Sequence, residues 1–247
     1  MTYNIRQGGA GREDALLAVI RPCDPDVVIF QEATDPGVIQ TLARESAMAH
    51  CAAMPRLSLG FMSRVPIASH SWHRPRFSRH AFLELVPRDL PVRLFGVHLS
   101  AQFAALTERR RLFELRALIA AIAREQHGFH AVTGDFNTLA PGEVLDVAVL
   151  PQRVKAMLWL SGGRVRWRTI QQMLDAGYSD AFRALHPGDP GFTLPSASPH
   201  VRLDYVFVPS GDLPRVTRCD VVRSDRAAEA SDHLPLVAEL AVSPASA

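Results

Sequence analysis

The chain has 247 residues, 47% of them hydrophobic, and a formal net charge of +2. That is enough apolar material for a sizeable core, and too weak a charge to argue for a nucleic-acid partner by itself. No apolar run reaches the roughly 18 residues of a membrane span. The start, Met-Thr-Tyr-Asn-Ile-Arg, has no basic-then-apolar leader pattern. Cys23, Cys51 and Cys219 are odd in number and lack metal-type spacing, so buried or inert thiols in a cytoplasmic protein are expected. The basic residues are Arg except for Lys155. Arg makes bidentate phosphate contacts that Lys does not, but a chain rich in Arg, Ala and Pro is equally what a GC-rich genome produces.

In chain order, Met1 to Arg6 reads as a short strand ending before Gly8-Gly9, with Asn4 near its end. Arg12 to Ile20 repeats Ala15, Leu16, Val19 and Ile20 with helical spacing, and Pro22 and Pro25 stop it. Val27 to Phe30 is a continuous apolar run that empties into Gln31-Glu32, and Asp35-Pro36-Gly37 opens a helix over Val38 to Ala49. Beyond Pro55 the pattern turns to strands: Leu57–Met62, Ile67–Trp72, Ala81–Val86 and Val92–Leu99, with His98 closing the last. A long helix over Thr107 to Gln126 carries Leu112, Leu115, Leu118, Ile119 and Ile122 on one stripe. Its first turns, with Glu108 and Arg109–Arg111, read as a solvated face.

Phe129, Ala131 and Val132 lead a buried strand into Gly134-Asp135-Phe136-Asn137. Leu145 to Trp159 has no clear period. Helices follow at Thr169–Ala176 and Asp180–Leu185, then strands at Phe192–Leu194, Leu203–Val208, Val216–Val222 and Leu236–Leu240. No repeat, linker or composition shift divides the chain, so one domain over residues 1–247 is expected, with about the last five residues loose.

The polar residues that interrupt these strands carry the chemistry. Asn4, Glu32, His98, Asp135 and Asn137 lie at strand C-terminal ends; Asp204 opens a strand and Asp232-His233 precede one. In a mixed sheet the ends of up-strands and the starts of down-strands share an edge, so these residues can converge on one rim. Glu32 and Asp232, with amide oxygen from Asn4 or Asn137, make a hard oxygen set suited to Mg²⁺ or Mn²⁺. No histidine spacing suits zinc. A His beside an Asp serves as base or as a charged donor to phosphoryl oxygen, and His98 offers a second donor. Phosphoryl transfer needs such a set. Singly, each has a plain structural reading: an Asx turn at Asp135, a capping Asp232, a satisfied edge histidine at His98. A joint coincidence at strand ends is the weaker account. Calcium-loop, phosphate-loop and serine-elbow patterns are not matched.

The tags Thr2-Tyr3-Asn4-Ile5, Val28-Ile29-Phe30-Gln31-Glu32, Met62-Ser63-Arg64-Val65-Pro66-Ile67, Gly96-Val97-His98-Leu99, Gly134-Asp135-Phe136-Asn137, Arg202-Leu203-Asp204-Tyr205 and Ser231-Asp232-His233-Leu234-Pro235 run in order from residue 2 to 235. Together they resemble the endonuclease/exonuclease/phosphatase superfamily, the deoxyribonuclease-I-like fold. The resemblance implies an α/β four-layer sandwich of two mixed sheets flanked by helices, with the site at one rim. It implies Glu32 as main metal ligand with Asn4 and Asp232 near the cation, Asp135 on the attacking water, and Asn137 and His98 on the phosphate. Asp204 would then orient His233, which acts as base or phosphate donor. Whether Asp135 or His233 is the base, and whether one cation or two are used, stays open. One departure is visible: Met1 alone precedes the first tag, where the family has several apolar residues. Either the start is misassigned or the strand is short, and a missing half-strand would weaken the placement of Asn4.

The function these readings predict is a Mg²⁺- or Mn²⁺-dependent phosphoesterase, with a nuclease-type substrate slightly favoured. The alternatives are a small-molecule or lipid-headgroup phosphodiesterase, and a non-catalytic binding module with the same fold. The intact polar set argues against the module, and no aromatic membrane-insertion hairpin or obligate protein partner is evident. Two basic segments, His73–His80 and Arg164–Arg168, could follow a phosphate backbone with Phe77 or Trp167 as a stacking platform. A hairpin with a solvated charged face is the plainer reading of both. Glu32→Ala and His233→Ala are expected to fold and to lose activity by orders of magnitude.

Overall fold

The computed structural model describes all residues except 77, 79, 102–104, 126–127, 144–145, 150–151, 153–154, 157–158, 160–166 and 243–247, and only the backbone of 105, 106, 125 and 149. Six strands form one sheet: β1 (Thr2–Asn4), β2 (Val27–Gln31), β3 (His50–Met54), β4 (Leu59–Ser63), β11 (Val216–Val221) and β12 (Leu236–Leu240), ordered β11-β12-β1-β2-β4-β3. The second sheet holds β5 (Ile67–His73), β6 (Phe82–Pro87), β7 (Arg93–His98), β8 (His130–Asp135), β9 (Tyr178–Asp180) and β10 (Asp204–Pro209), ordered β5-β6-β7-β8-β10-β9. Each sheet has one parallel pair at its centre, β1 with β2 and β7 with β8, and antiparallel neighbours elsewhere.

Parallel neighbours need a crossover, and helices supply it. α1 (Glu13–Ile20) joins β1 to β2, and α3 (Ala105–Glu125) joins β7 to β8. The continuous apolar run of β2 follows from burial on both faces. Val28 and Phe30 pack with Leu16, Val19 and Ile20 of α1 and Leu42 of α2 (Pro36–Glu45), whereas Ile29 meets Leu83 and Leu85 of the other sheet. On the far side, Phe95, Val97, Val132 and Phe207 pack under Leu115, Leu118 and Ile122 of α3 and Ile170 and Met173 of α4 (Arg168–Asp175). The result is helix, sheet, sheet, helix, as the sequence predicts. Two short helices, α5 (Ala181–Leu185) and α6 (Ala227–Ala230), follow β9 and precede the Ser231–His233 segment, respectively. No described helix is long and apolar enough to cross a membrane.

Three expectations need correction. The start of α3 is no solvated face: Glu108 and Arg111 are 2% and 1% exposed, and only Arg109 and Arg110 face outward. Glu108 is buried because it accepts from the Thr169 backbone and hydroxyl, and Arg111 because it donates to the Ser100 carbonyl. Phe192–Leu194 is not a strand; a single bridge, Leu194 to Val201, closes a loop that contains Pro195 and Pro199. The chain after α2 makes strand β3 rather than more helix, because Ser46 caps α2 and Ala47 takes a positive φ. The segment from 160 to 166, all of the terminal five residues, and Phe77 and Arg79 of the first basic loop lie outside the described residues.

Candidate active site

The strand directions bring the polar ends to one edge. β1 and β2 are in register, Asn4 opposite Gln31, so Asn4 and Glu32 leave the sheet together. β12 runs the other way, and the Ser231–His233 segment that precedes it arrives at the same edge. In the second sheet His98 stands opposite Asp135 on one side, and Asp204 stands opposite Asp135 on the other. Gly134 permits this register. Its φ is +143°, and a Cβ there would lie 2.0 Å from the Val97 carbonyl oxygen.

The two edges meet through side chains. Asn4 Nδ2 donates to Asp135 Oδ2 at 3.0 Å and faces Glu32 Oε1 at 3.4 Å, while its oxygen accepts from the Arg6 N–H at 3.0 Å. Glu32 also accepts from the Gln7 N–H at 2.6 Å. Arg6, Gln7 and Glu32 all adopt positive φ. For non-glycine residues that is a local strain of about 1–3 kcal/mol each, of the kind that persists where surrounding contacts enforce it. Ser231 ties the last segment in, donating to the Asn4 carbonyl at 2.6 Å and accepting from the His233 N–H at 3.3 Å. Asp232 is half-exposed, with Arg6 Nε 3.8 Å from its carboxylate.

Asp135 is the hub. One oxygen accepts from the Asn137 N–H at 2.8 Å, which is the Asx turn that its spacing suggested. The other accepts from Asn4 and has the Nε2 atoms of both His98 and His233 at 3.9 Å. His233 Nδ1–H donates to Asp204 Oδ2 at 2.8 Å. Burial alone would lower the His233 pKa, but Asp204, Asp135 and Asp232 outweigh it and raise it to about 10, so the ring is an imidazolium. Burial pushes Asp135 up to about 7, against the pull of His233 and with the help of Asp204. His98 is driven down to about 3 by burial, then by His80 and His233, and is therefore neutral. Asn137 has a positive φ and donates its amide to the Leu99 carbonyl at 2.9 Å, which joins the ends of β7 and β8.

Three site neighbours escape the sequence. Ser58, in a left-handed turn before β4, places its hydroxyl 3.2 Å from His98 Nδ1. The His80 ring meets that of His98 edge-on at 5.3 Å. Arg6 lies against Asp232.

Two sets of residues compete for a cation. Asp135, Asp204 and His233 form the one compact group of acidic and imidazole ligands among the described residues. An imidazolium with Nδ1 already committed is no ligand, so that group reads better as an ion-paired acid–base relay. Glu32, Asn4 and Asp232 offer the more open, oxygen-rich alternative: Asp232 has only Arg6 at 3.8 Å, and Glu32 has no ion pair among the described residues. Those hard donors fit Mg²⁺ or Mn²⁺. Among the described residues no thiol stands at this edge: Cys23 follows α1, Cys51 is in β3 and Cys219 in β11.

The sequence matches the Endonuclease/Exonuclease/phosphatase family over residues 1–233. The chain belongs to that family. It is accordingly a hydrolase of phosphate esters, in a family whose members generally use a divalent cation. No curated protein sequence matches it. Solved structures do, at identities that speak to the fold alone. An AP endonuclease from Archaeoglobus fulgidus is 18% identical, with 97% of each chain covered and a TM-score of 0.73. The 3' phosphatase NExo from Neisseria, bound to a product DNA hairpin, is 19% identical over 97% of this chain and 98% of its own, with a TM-score of 0.74. The 3'-5' exonuclease NExo from Neisseria meningitidis is 20% identical over 97% and 98%, with a TM-score of 0.71.

Proposed function

We propose that the chain, as one cytoplasmic domain, hydrolyses phosphodiesters of nucleic acid by in-line attack of water, with Mg²⁺ or Mn²⁺ as cofactor. The observation that carries this is the Asp135 hub: a base, an imidazolium and a neutral imidazole within one 4 Å neighbourhood. Asp135, with its pKa near 7, is matched to taking a proton from water near neutral pH. His233, locked by Asp204, presents Nε2–H to a phosphoryl oxygen and holds a positive charge there. With the Ser58 hydroxyl donating to its Nδ1, His98 keeps its ring proton on Nε2 as a second donor. Asn137 is fixed beside them for the remaining phosphate oxygen. Glu32, Asp232 and Asn4 would hold the cation, which supplies Lewis-acid stabilisation of charge on the phosphoryl and leaving oxygens.

A nucleic-acid substrate is supported by the DNA-directed names of the neighbours above and by the exposed Arg109, Arg110 and Arg168 at the starts of α3 and α4. The test is one purified sample, with Mg²⁺ or Mn²⁺, against plasmid DNA, single strands, bis-p-nitrophenyl phosphate, p-nitrophenyl phosphate and sphingomyelin. Cleavage of the polynucleotides with steep salt dependence supports the proposal. Turnover of the small or lipid esters alone, insensitive to salt, overturns the nucleic-acid assignment.

A further inference from the structure

The buried start of α3 does more than pack. Glu108 accepts from the Thr169 N–H at 3.1 Å and from its hydroxyl at 3.2 Å, and pairs with Arg111 at 2.9 Å. Arg111 donates to the Ser100 carbonyl at 2.8 Å, two residues beyond His98. The first turns of α3 and α4 are therefore latched to each other and to the segment leaving the active site. This latch sets a group of residues outward. Arg109 and Arg110 follow Glu108 directly, and Trp167 and Arg168 directly precede Thr169. All four are exposed, Trp167 at 42%. Phe113, also exposed, shares the Arg109 face of α3 at i+4 spacing.

Nothing described within the chain neutralises this surface. Arg109, Arg110 and Arg168 have no ion pair among the described residues. The exposed acid of α4, Asp175, sits at its far end and accepts from Gln171. Glu108, the acid in the middle, is buried and spent on the latch. What remains is a positive surface carrying an exposed indole, tied through Arg111 and the Ser100 carbonyl to the segment that leaves the site at His98. Guanidiniums fit backbone phosphates, and an exposed ring stacks on a base whose own face is free. A base inside a duplex has no free face, so unpaired nucleotides are the better match.

We propose that the latched ends of α3 and α4 bind the single-stranded stretch flanking the scissile phosphate, with Arg109, Arg110 and Arg168 on phosphates and Trp167 under a base. This inference rests on the nucleic-acid substrate proposed above.

The test uses full-length protein without added metal and a labelled oligothymidine, with affinity measured across a salt series. Trp167→Ala is expected to weaken binding about tenfold, within the range of one lost base–aromatic stack. Arg109→Ser/Arg110→Ser is expected to lower the log–log salt slope by about 1.4, at about 0.7 per single-strand phosphate contact. Both variants should hydrolyse bis-p-nitrophenyl phosphate at the parental rate, since neither touches the site. If the parent cuts oligonucleotides and both variants bind them as tightly as it does, the surface is not the binding site and the nuclease reading stands. If the parent turns over bis-p-nitrophenyl phosphate but neither binds nor cuts any oligonucleotide, both fall. Equal losses on blunt duplex and single strand would overturn the single-strand assignment, as would undiminished oligonucleotide binding with patch-dependent capture of a protein partner.

Discussion

Asn4 and Asp135 stand 131 residues apart in the chain and meet through a 3.0 Å hydrogen bond that joins the two sheets at the rim. That bond favours the ionised form of Asp135 and so lowers its pKa. Asn4→Leu removes it, and the Asp135 pKa rises further. If Asp135 is the base, the acid limb of the kcat/KM profile moves to higher pH, with a rate loss of about tenfold or more at pH 7. An unshifted limb would remove Asp135 from that role.

His233 and Asp135 both carry raised pKa values, and the signs combine. His233 sits near 10 in the folded chain against 6.5 unfolded, so its contribution is fully present below pH 6.5 and lost as pH rises through 10. Asp135 sits near 7 against 3.8, so the folded state holds its proton longer and loses stability as pH rises from about 4 to 7. Metal-free protein should therefore show a denaturant midpoint that falls with pH across both windows. Asp204→Asn removes the main raising partner of His233 and should flatten the upper window.

The rim itself was legible in the sequence because apolar strand runs end in polar residues, and strand direction then decides which ends coincide. The clustering of Asn4, Asp135, Asp204 and His233 follows from the parallel centres of the two sheets. The start of α3 was misread for a physical reason. Helical charges are usually solvated, and only the tertiary fold shows that Glu108 serves the backbone of a helix 61 residues on. Ser58 and His80 were invisible because they reach His98 from turns, with no periodicity to place them. His233→Ala is expected to cost stability as well as activity. Its removal leaves the buried Asp204 carboxylate without the imidazolium it is paired with, at a cost of about 3–5 kcal/mol.

Gly134→Ala meets the Val97 carbonyl and demands a φ of +143° from a residue with a Cβ. The expected loss is about 3 kcal/mol or more, from clash and backbone strain together. Thermal melts would show it, and activity should fall with it because the His98–Asp135 register depends on that pairing.

Arg202 is fully buried, pairs with Glu143 at 2.6 Å and Asp180 at 2.7 Å, and lies 4.4 Å over the Tyr205 ring. Arg202→Leu should cost about 3–5 kcal/mol by leaving the buried Asp180 carboxylate without its counter-charge and Glu143 with Arg183 alone. Arg202→Lys should recover only part of it, because one ammonium cannot reproduce the forked contact. Urea denaturation of the two variants distinguishes these outcomes.

The central claim is a cation-dependent phosphoesterase centred on this rim, and Glu32 is its most direct test. Metal-stripped parent and Glu32→Gln should be compared on bis-p-nitrophenyl phosphate while Mg²⁺ or Mn²⁺ is titrated in, with melting curves taken alongside. The account predicts no turnover without the cation, saturable activation of the parent, and a rate lower by several orders of magnitude in a Glu32→Gln protein that still melts cooperatively. Full activity in chelator, or a Glu32→Gln enzyme as fast as the parent, would contradict it.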